Sequence, residues 1–68
     1  MIAIELNGQV HRVAAGTTLL ELVDGLGLPP GQALALAVNR SVVPRQRWPA
    51  TPVQSLDQIE IVRAIGGG

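Results

Sequence analysis

One stretch of this chain carries a helical period, and it is short. Leu19, Leu22, Val23 and Leu26 stand at i, i+3, i+4 and i+7, a single apolar stripe. Thr18 with Glu21 three residues later fits a capping box, in which each side chain meets a free backbone N–H at the helix start. Gly25 and Gly27 supply stops, and Pro29-Pro30 forbids continuation. A helix of about two to three turns is not stable alone in water, so it needs a sheet to pack on.

The rest of the chain supplies that sheet. In "IAIEL" (2–6), Ile2, Ile4 and Leu6 point one way and Ala3 and Glu5 the other, the period of a half-buried strand. Asn7-Gly8 follows, the dipeptide that best tolerates the positive φ angles of a two-residue hairpin turn. "QVHRV" reads as the returning strand; Val10 and Val13 fall on opposite faces, which predicts a bulge or an early strand end. "ALALAVN" (33–39) is apolar on both faces, as suits a strand covered on one side and partly shielded on the other. Arg40-Ser41 turns the chain, Val42-Val43 pairs back briefly, and "QIEIVRAI" is the last strand, with Ile59 and Ile61 toward the core. The segment 44–58 holds three prolines and is long for a structureless connection, so a helical turn is expected near Arg45–Trp48.

A hairpin, a helix, a strand with a short partner, a long loop and a final strand make a two-layer α+β domain. The order suits a β-grasp, the ubiquitin-like roll: a mixed four- to five-stranded sheet with one helix packed on one face. A ferredoxin-like fold needs a second helix, which the prolines at 44–52 disfavour. Residues 1–65 form the expected domain and 66–68 a flexible tail. Ile4, Leu22 and Ile61, each central in its stripe, are expected to converge between helix and sheet.

Composition then removes whole classes of function. The chain has 68 residues, 47% of them apolar, enough for one small core. It has no cysteine, hence no disulfide, thiolate nucleophile or thiolate metal site. His11 is the single histidine and cannot build an imidazole metal site alone. Five basic residues against five acids give net charge zero, so no field draws the chain to nucleic acid, and Trp48 is too solitary for base stacking. No apolar run approaches the roughly 20 residues of a membrane span, and no signal segment opens the chain; the cytoplasm is the expected location.

Few side chains suggest chemistry. Arg45, Arg47 and Trp48 allow an anion or partner site, but a solvated turn with the indole covering one end of the core explains them more simply. His11 reads as a strand surface residue without a nucleophile to serve. Capping explains Glu21 and solvent explains Asp24; Glu5, Asp57 and Glu60 have no spacing that implies a pair. "GLPPG" lacks the lysine of a phosphate loop. No catalytic residue and no metal ligand set is expected, and the chain is not read as an enzyme. Gly66-Gly67-Gly68 is the sharpest feature. It reads either as a frayed end or as a tail without side chains, able to enter a narrow channel and reaching on the order of 10 Å past the last strand. A terminal carboxylate has a pKa of about 3.5 and is a poor electrophile, so chemistry there requires an outside activator.

"LNG" at 6–8, "GTTLLELVDGLGL" at 16–28, "ALAVNRSVVPRQRW" at 35–48 and "IEIVRAIGGG" at 59–68 together resemble the ThiS family, the sulfur carriers of thiamine biosynthesis. The likeness spans nearly the whole chain, and the last two segments are its most specific pieces. Where the family commonly has an acidic-Gly-acidic turn, Ser55-Leu56-Asp57 stands instead. The resemblance implies a β-grasp fold and a cycle of carboxylate activation. An E1-like adenylyltransferase (ThiF-like) uses ATP and Mg²⁺ to adenylate the C-terminal glycine, here Gly68; the carrier itself binds no cofactor. Sulfur drawn from cysteine by a desulfurase replaces the adenylate to give a thiocarboxylate, which a thiazole synthase (ThiG-like) uses for the thiazole of thiamine. Gly66 and Gly67 then thread the partner's channel. The adjacent sheet must dock, so Val62, Ala64 and Ile65 are expected to form an exposed apolar patch with Arg63 at its rim. The free carrier is expected to be a monomer. A small subunit of molybdopterin synthase, a ubiquitin-like protein modifier and a plain β-grasp binding module are the alternatives.

Overall fold

Asn7 and Gly8 both adopt positive φ, 50° and 83°, as a type I′ hairpin turn requires. They join β1 (Ile2–Leu6) to β2 (Gln9–Val13) in an antiparallel pair running without a break from Leu6↔Gln9 to Ile2↔Val13. The bulge expected in β2 is absent. Val10 simply lies on the open face, 72% exposed, while Val13 packs against the core from the other face. The turn fixes the register, and a one-residue slip would exchange every side chain between faces.

The structure, a computed structural model, describes residues 1–27 and 34–63, without the side chains of Leu34 and Arg63. The expected boundary between residues 65 and 66 therefore lies outside the described residues. Within them α1 (Leu19–Gly25) opens on the capping box read from sequence. The Thr18 N–H donates to Glu21 Oε1 at 2.9 Å, and the Glu21 N–H donates to Thr18 Oγ1 at 3.2 Å. Leu26 ends the helix, and Gly27 follows at φ 70°, the left-handed conformation that stops a helix.

Next come β3 (Leu34–Val38), β4 (Ser41–Val42), a 3₁₀ helix (Arg45–Ala50) and β5 (Gln58–Arg63). The short return strand thus starts one residue earlier than expected, although the Val43 N–H still reaches Leu36 O at 2.9 Å. Asn39 (φ 50°) and Arg40 (φ 70°) form the connecting turn. The sheet order is β2-β1-β5-β3-β4; β5 runs parallel to β1 and antiparallel to β3. With one helix against this mixed sheet, the arrangement is the β-grasp.

Ile4, Leu6, Leu19, Leu22, Val23, Leu36, Trp48, Val53 and Ile59 make the buried core. Ile4 and Leu22 both lie in this core as expected, while Ile61 is only partly buried, packed against it. The proline-rich segment is anchored rather than loose. Leu19 N–H donates to Thr51 O at 2.9 Å and Val53 N–H to Thr17 O at 2.8 Å, which ties it to the helix start. Trp48, 1% exposed, closes one end of the core and donates its indole N–H to Val43 O at 2.9 Å.

Candidate functional site

The strand that leads to the glycine tail is clamped along its length by two asparagines. Asn7 donates its backbone N–H to Ile59 O and accepts the Ile61 N–H on its side-chain oxygen, both at 2.9 Å. Asn39 mirrors it at the start of β5. Its N–H reaches Gln58 O at 2.7 Å, its Oδ1 accepts the Gln58 N–H at 2.9 Å, and its Nδ2 donates to Asp57 Oδ1 at 3.0 Å. Asparagine is suited to both places because it tolerates the left-handed turn while leaving a short polar side chain free. The sequence marks the first turn; it does not mark the reach of either side chain to a strand far along the chain.

The face of the sheet away from α1 presents a row of small and exposed apolar groups beside β5. Val62 is 61% exposed opposite Ala35, and Val42 is 73% exposed opposite Ala37, which in turn faces Glu60. Val62 therefore lies on the open surface of the sheet. Ala64, Ile65, Gly66, Gly67 and Gly68, and the Arg63 side chain, lie outside the described residues. Val42, Ala35 and Ala37 were not singled out from sequence, although the period-two spacing of Ala35 and Ala37 along β3 is a usable signal for those two. Glu5 and Glu60, read as unrelated carboxylates, line one shallow concavity with Asn7, Gly8, Gln58 and Ile59.

The remaining candidates have structural partners. Asp57 Oδ2 accepts the Gln54 N–H at 2.8 Å, so its carboxylate organises the turn before β5. His11 is half-buried and faces the helix side of the sheet, lining a groove with Thr17, Glu21 and Leu22. The Arg45 guanidinium lies 5.5 Å from the Trp48 ring centroid, within cation–π range. Among the described residues, no group of three or more His, Asp or Glu side chains is placed to hold a metal, and no helix is long and apolar enough to cross a membrane.

The family model of the ThiS family matches residues 3–68. The chain belongs to the ThiS family. Over 65 residues it is 42% identical to the sulfur carrier protein ThiS of Escherichia coli (strain K12), covering 96% of this chain and 97% of that one. It is 48% identical over 65 residues to a thiazole synthase of Magnetococcus marinus, covering 96% of this chain. This ThiS-family chain spans about a fifth of that relative, 20% of its length. A crystal structure of the thiamine biosynthesis protein ThiS from Geobacter metallireducens superposes with TM-score 0.84 at 26% identity, over 98% of this chain and 100% of that one. Its solution structure gives 0.76 at 25% identity, over 98% and 88%. The ThiS match reaches Gly68, so it includes the glycines that follow the clamped strand.

Proposed function

We propose that this chain is a sulfur carrier of thiamine biosynthesis that holds its sulfur as a thiocarboxylate on Gly68. The observation that carries the reading is a family match running from the first strand through the last glycine, supported by near full-length identity to a sulfur carrier. The domain itself offers a packed core and a fixed last strand, which suits a handle for a reactive end.

In the proposed cycle an E1-like adenylyltransferase binds ATP and Mg²⁺. A Gly68 carboxylate oxygen attacks the α-phosphorus, pyrophosphate leaves, and the acyl carbon becomes electrophilic. A persulfide whose outer sulfur comes from cysteine attacks the acyl carbon and displaces AMP. A second thiol then reduces the resulting acyl disulfide, which leaves the thiocarboxylate on Gly68 and a disulfide as the other product. Thiazole synthase is the proposed acceptor; the relative in Magnetococcus marinus carries a homologous segment within a protein of that name. Gly66 and Gly67 supply the slim approach to both active sites. Val62 and Val42, with Ala35 and Ala37 between them, supply an apolar surface for the partner to cover. We assign the cycle to the cytoplasm, where ATP and reduced sulfur meet.

Intact mass of the chain purified from thiamine-starved cells tests the reading. A species heavier by one oxygen-to-sulfur exchange, S-alkylated by a thiol-reactive reagent, returned to the parent mass by hydrolysis with release of sulfide, and located in the C-terminal peptide, is expected. Its absence, with the activating enzyme present in the same cells, contradicts the proposal.

A further inference from the structure

Leu56 combines two features that a turn residue does well to avoid. Its φ is 70°, where a Cβ crowds the following carbonyl and where glycine or asparagine sits more easily. Its side chain is 80% exposed, so the leucine gains nothing from burial in the free protein. The backbone is held there by the Leu56 N–H donating to Ala3 O at 2.7 Å and the Asp57 N–H donating to Gln54 O at 3.1 Å. Strain of this kind clusters at ligand clamps, held in place by the structure around it.

Leu56 also has a counterpart. Val10, exposed on β2, lines the same groove on the open sheet face, together with Ala3, Ile4, Glu5 and Gln58. The groove therefore has aliphatic groups and a single charged side chain, the Glu5 carboxylate. That combination suits a long cationic side chain, whose methylene stem lies along apolar walls while its head pairs with a carboxylate. β5 runs from this groove toward the tail, about 20 Å over its length, so a partner covering both would lie along the whole strand.

We propose that Leu56, Val10 and Glu5 form a specificity clamp for an arginine or lysine side chain of the thiazole synthase that accepts this carrier's sulfur. The inference rests on the carrier reading above. Thiazole synthase is the chosen occupant because a homologous segment is covalently built into one, which keeps the two surfaces together. The cation follows from charge complementarity to Glu5.

Calorimetric titration of the cognate thiazole synthase with the full chain tests the clamp, using Leu56→Gly, Leu56→Asn and Glu5→Gln beside the parent. Both Leu56 variants suit the left-handed backbone, so their melting temperatures should hold or rise. Their affinity should nevertheless fall about tenfold or more, as for a buried interface anchor. Glu5→Gln should weaken binding and flatten its dependence on salt. Thiocarboxylate formation with the activating enzyme should stay at the parent rate in all three. Parent-like affinity of both Leu56 variants overturns the clamp, as does a loss seen only with the activating enzyme. A lowered melting temperature in both variants would make Leu56 a structural residue and overturn it equally. Failure of the parent chain to form thiocarboxylate at all would instead sink the carrier reading, and the clamp with it.

Discussion

The side-chain oxygen of Asn7 accepts a hydrogen bond from the Ile61 N–H at 2.9 Å, across 54 positions of sequence. β1 has ended at Leu6, so this side chain continues the ladder one step beyond the last paired residue of the strand. Asn7→Gly keeps the positive φ and removes only the bond, and should cost about 0.5–1.5 kcal/mol. Asn7→Ala should cost about 1 kcal/mol more, since alanine resists that backbone. Urea titration gives both values, and amide exchange at Ile61 should quicken in each variant. Unchanged stability and unchanged exchange in Asn7→Gly would show that the bond does not hold β5.

Leu22 is one of the three helix residues buried in the core cluster that also holds Ile4. Leu22→Ala should cost about 2–5 kcal/mol, much of the stability of a domain this small. A loss below about half a kcal/mol in denaturant would mean that the site collapses around the smaller side chain.

Trp48 reports on its own end of the core. It is the single aromatic residue and is fully enclosed, so its emission should be blue-shifted in the folded chain and move red through one unfolding transition. Trp48→Phe leaves the Val43 carbonyl without its indole donor and should cost about 1–3 kcal/mol, followed by circular dichroism. Native emission already at the wavelength of free tryptophan would place the indole in solvent.

Local rules made much of this fold legible. The Asn7-Gly8 turn, the Thr18–Glu21 capping box, the stop at Gly27 and the helical turn around Trp48 each follow from chemistry within a few residues. What escaped reading depends on distant neighbours. Val10 looked like a fault in the strand because alternation alone cannot tell an exposed valine from a bulge. The Asn7–Ile61 and Asn39–Asp57 contacts cross the sheet and leave no periodic trace. Arg40 and Leu56 take left-handed conformations that neither residue type advertises. At the site, the surface position of Val62 was readable because a sheet face follows period two. Val42 was not, because a two-residue strand is too short to show a period.

Val62 offers a direct test of the docking face. It is exposed and lies opposite Ala35, so Val62→Glu should leave the melting temperature within a few degrees while weakening binding to the activating enzyme by about tenfold or more. Equal binding by the variant would remove this face from the interface.

The central claim is that sulfur is loaded on the Gly68 carboxylate, a set number of residues beyond the clamped strand. Deleting Gly68 leaves the same chemical group on Gly67, set back by about 3.5 Å. Misplacement of even about 1 Å costs on the order of a hundredfold where reacting groups must align. An added alanine displaces the carboxylate outward and puts a methyl group on a tail end that otherwise carries no side chain. The decisive measurement is thiocarboxylate formation, read by intact mass, with the activating enzyme, ATP and a sulfur source. The parent chain should convert, while the deleted and extended chains, folded to the same melting temperature, should not. Conversion of both variants at the parent rate would contradict the account.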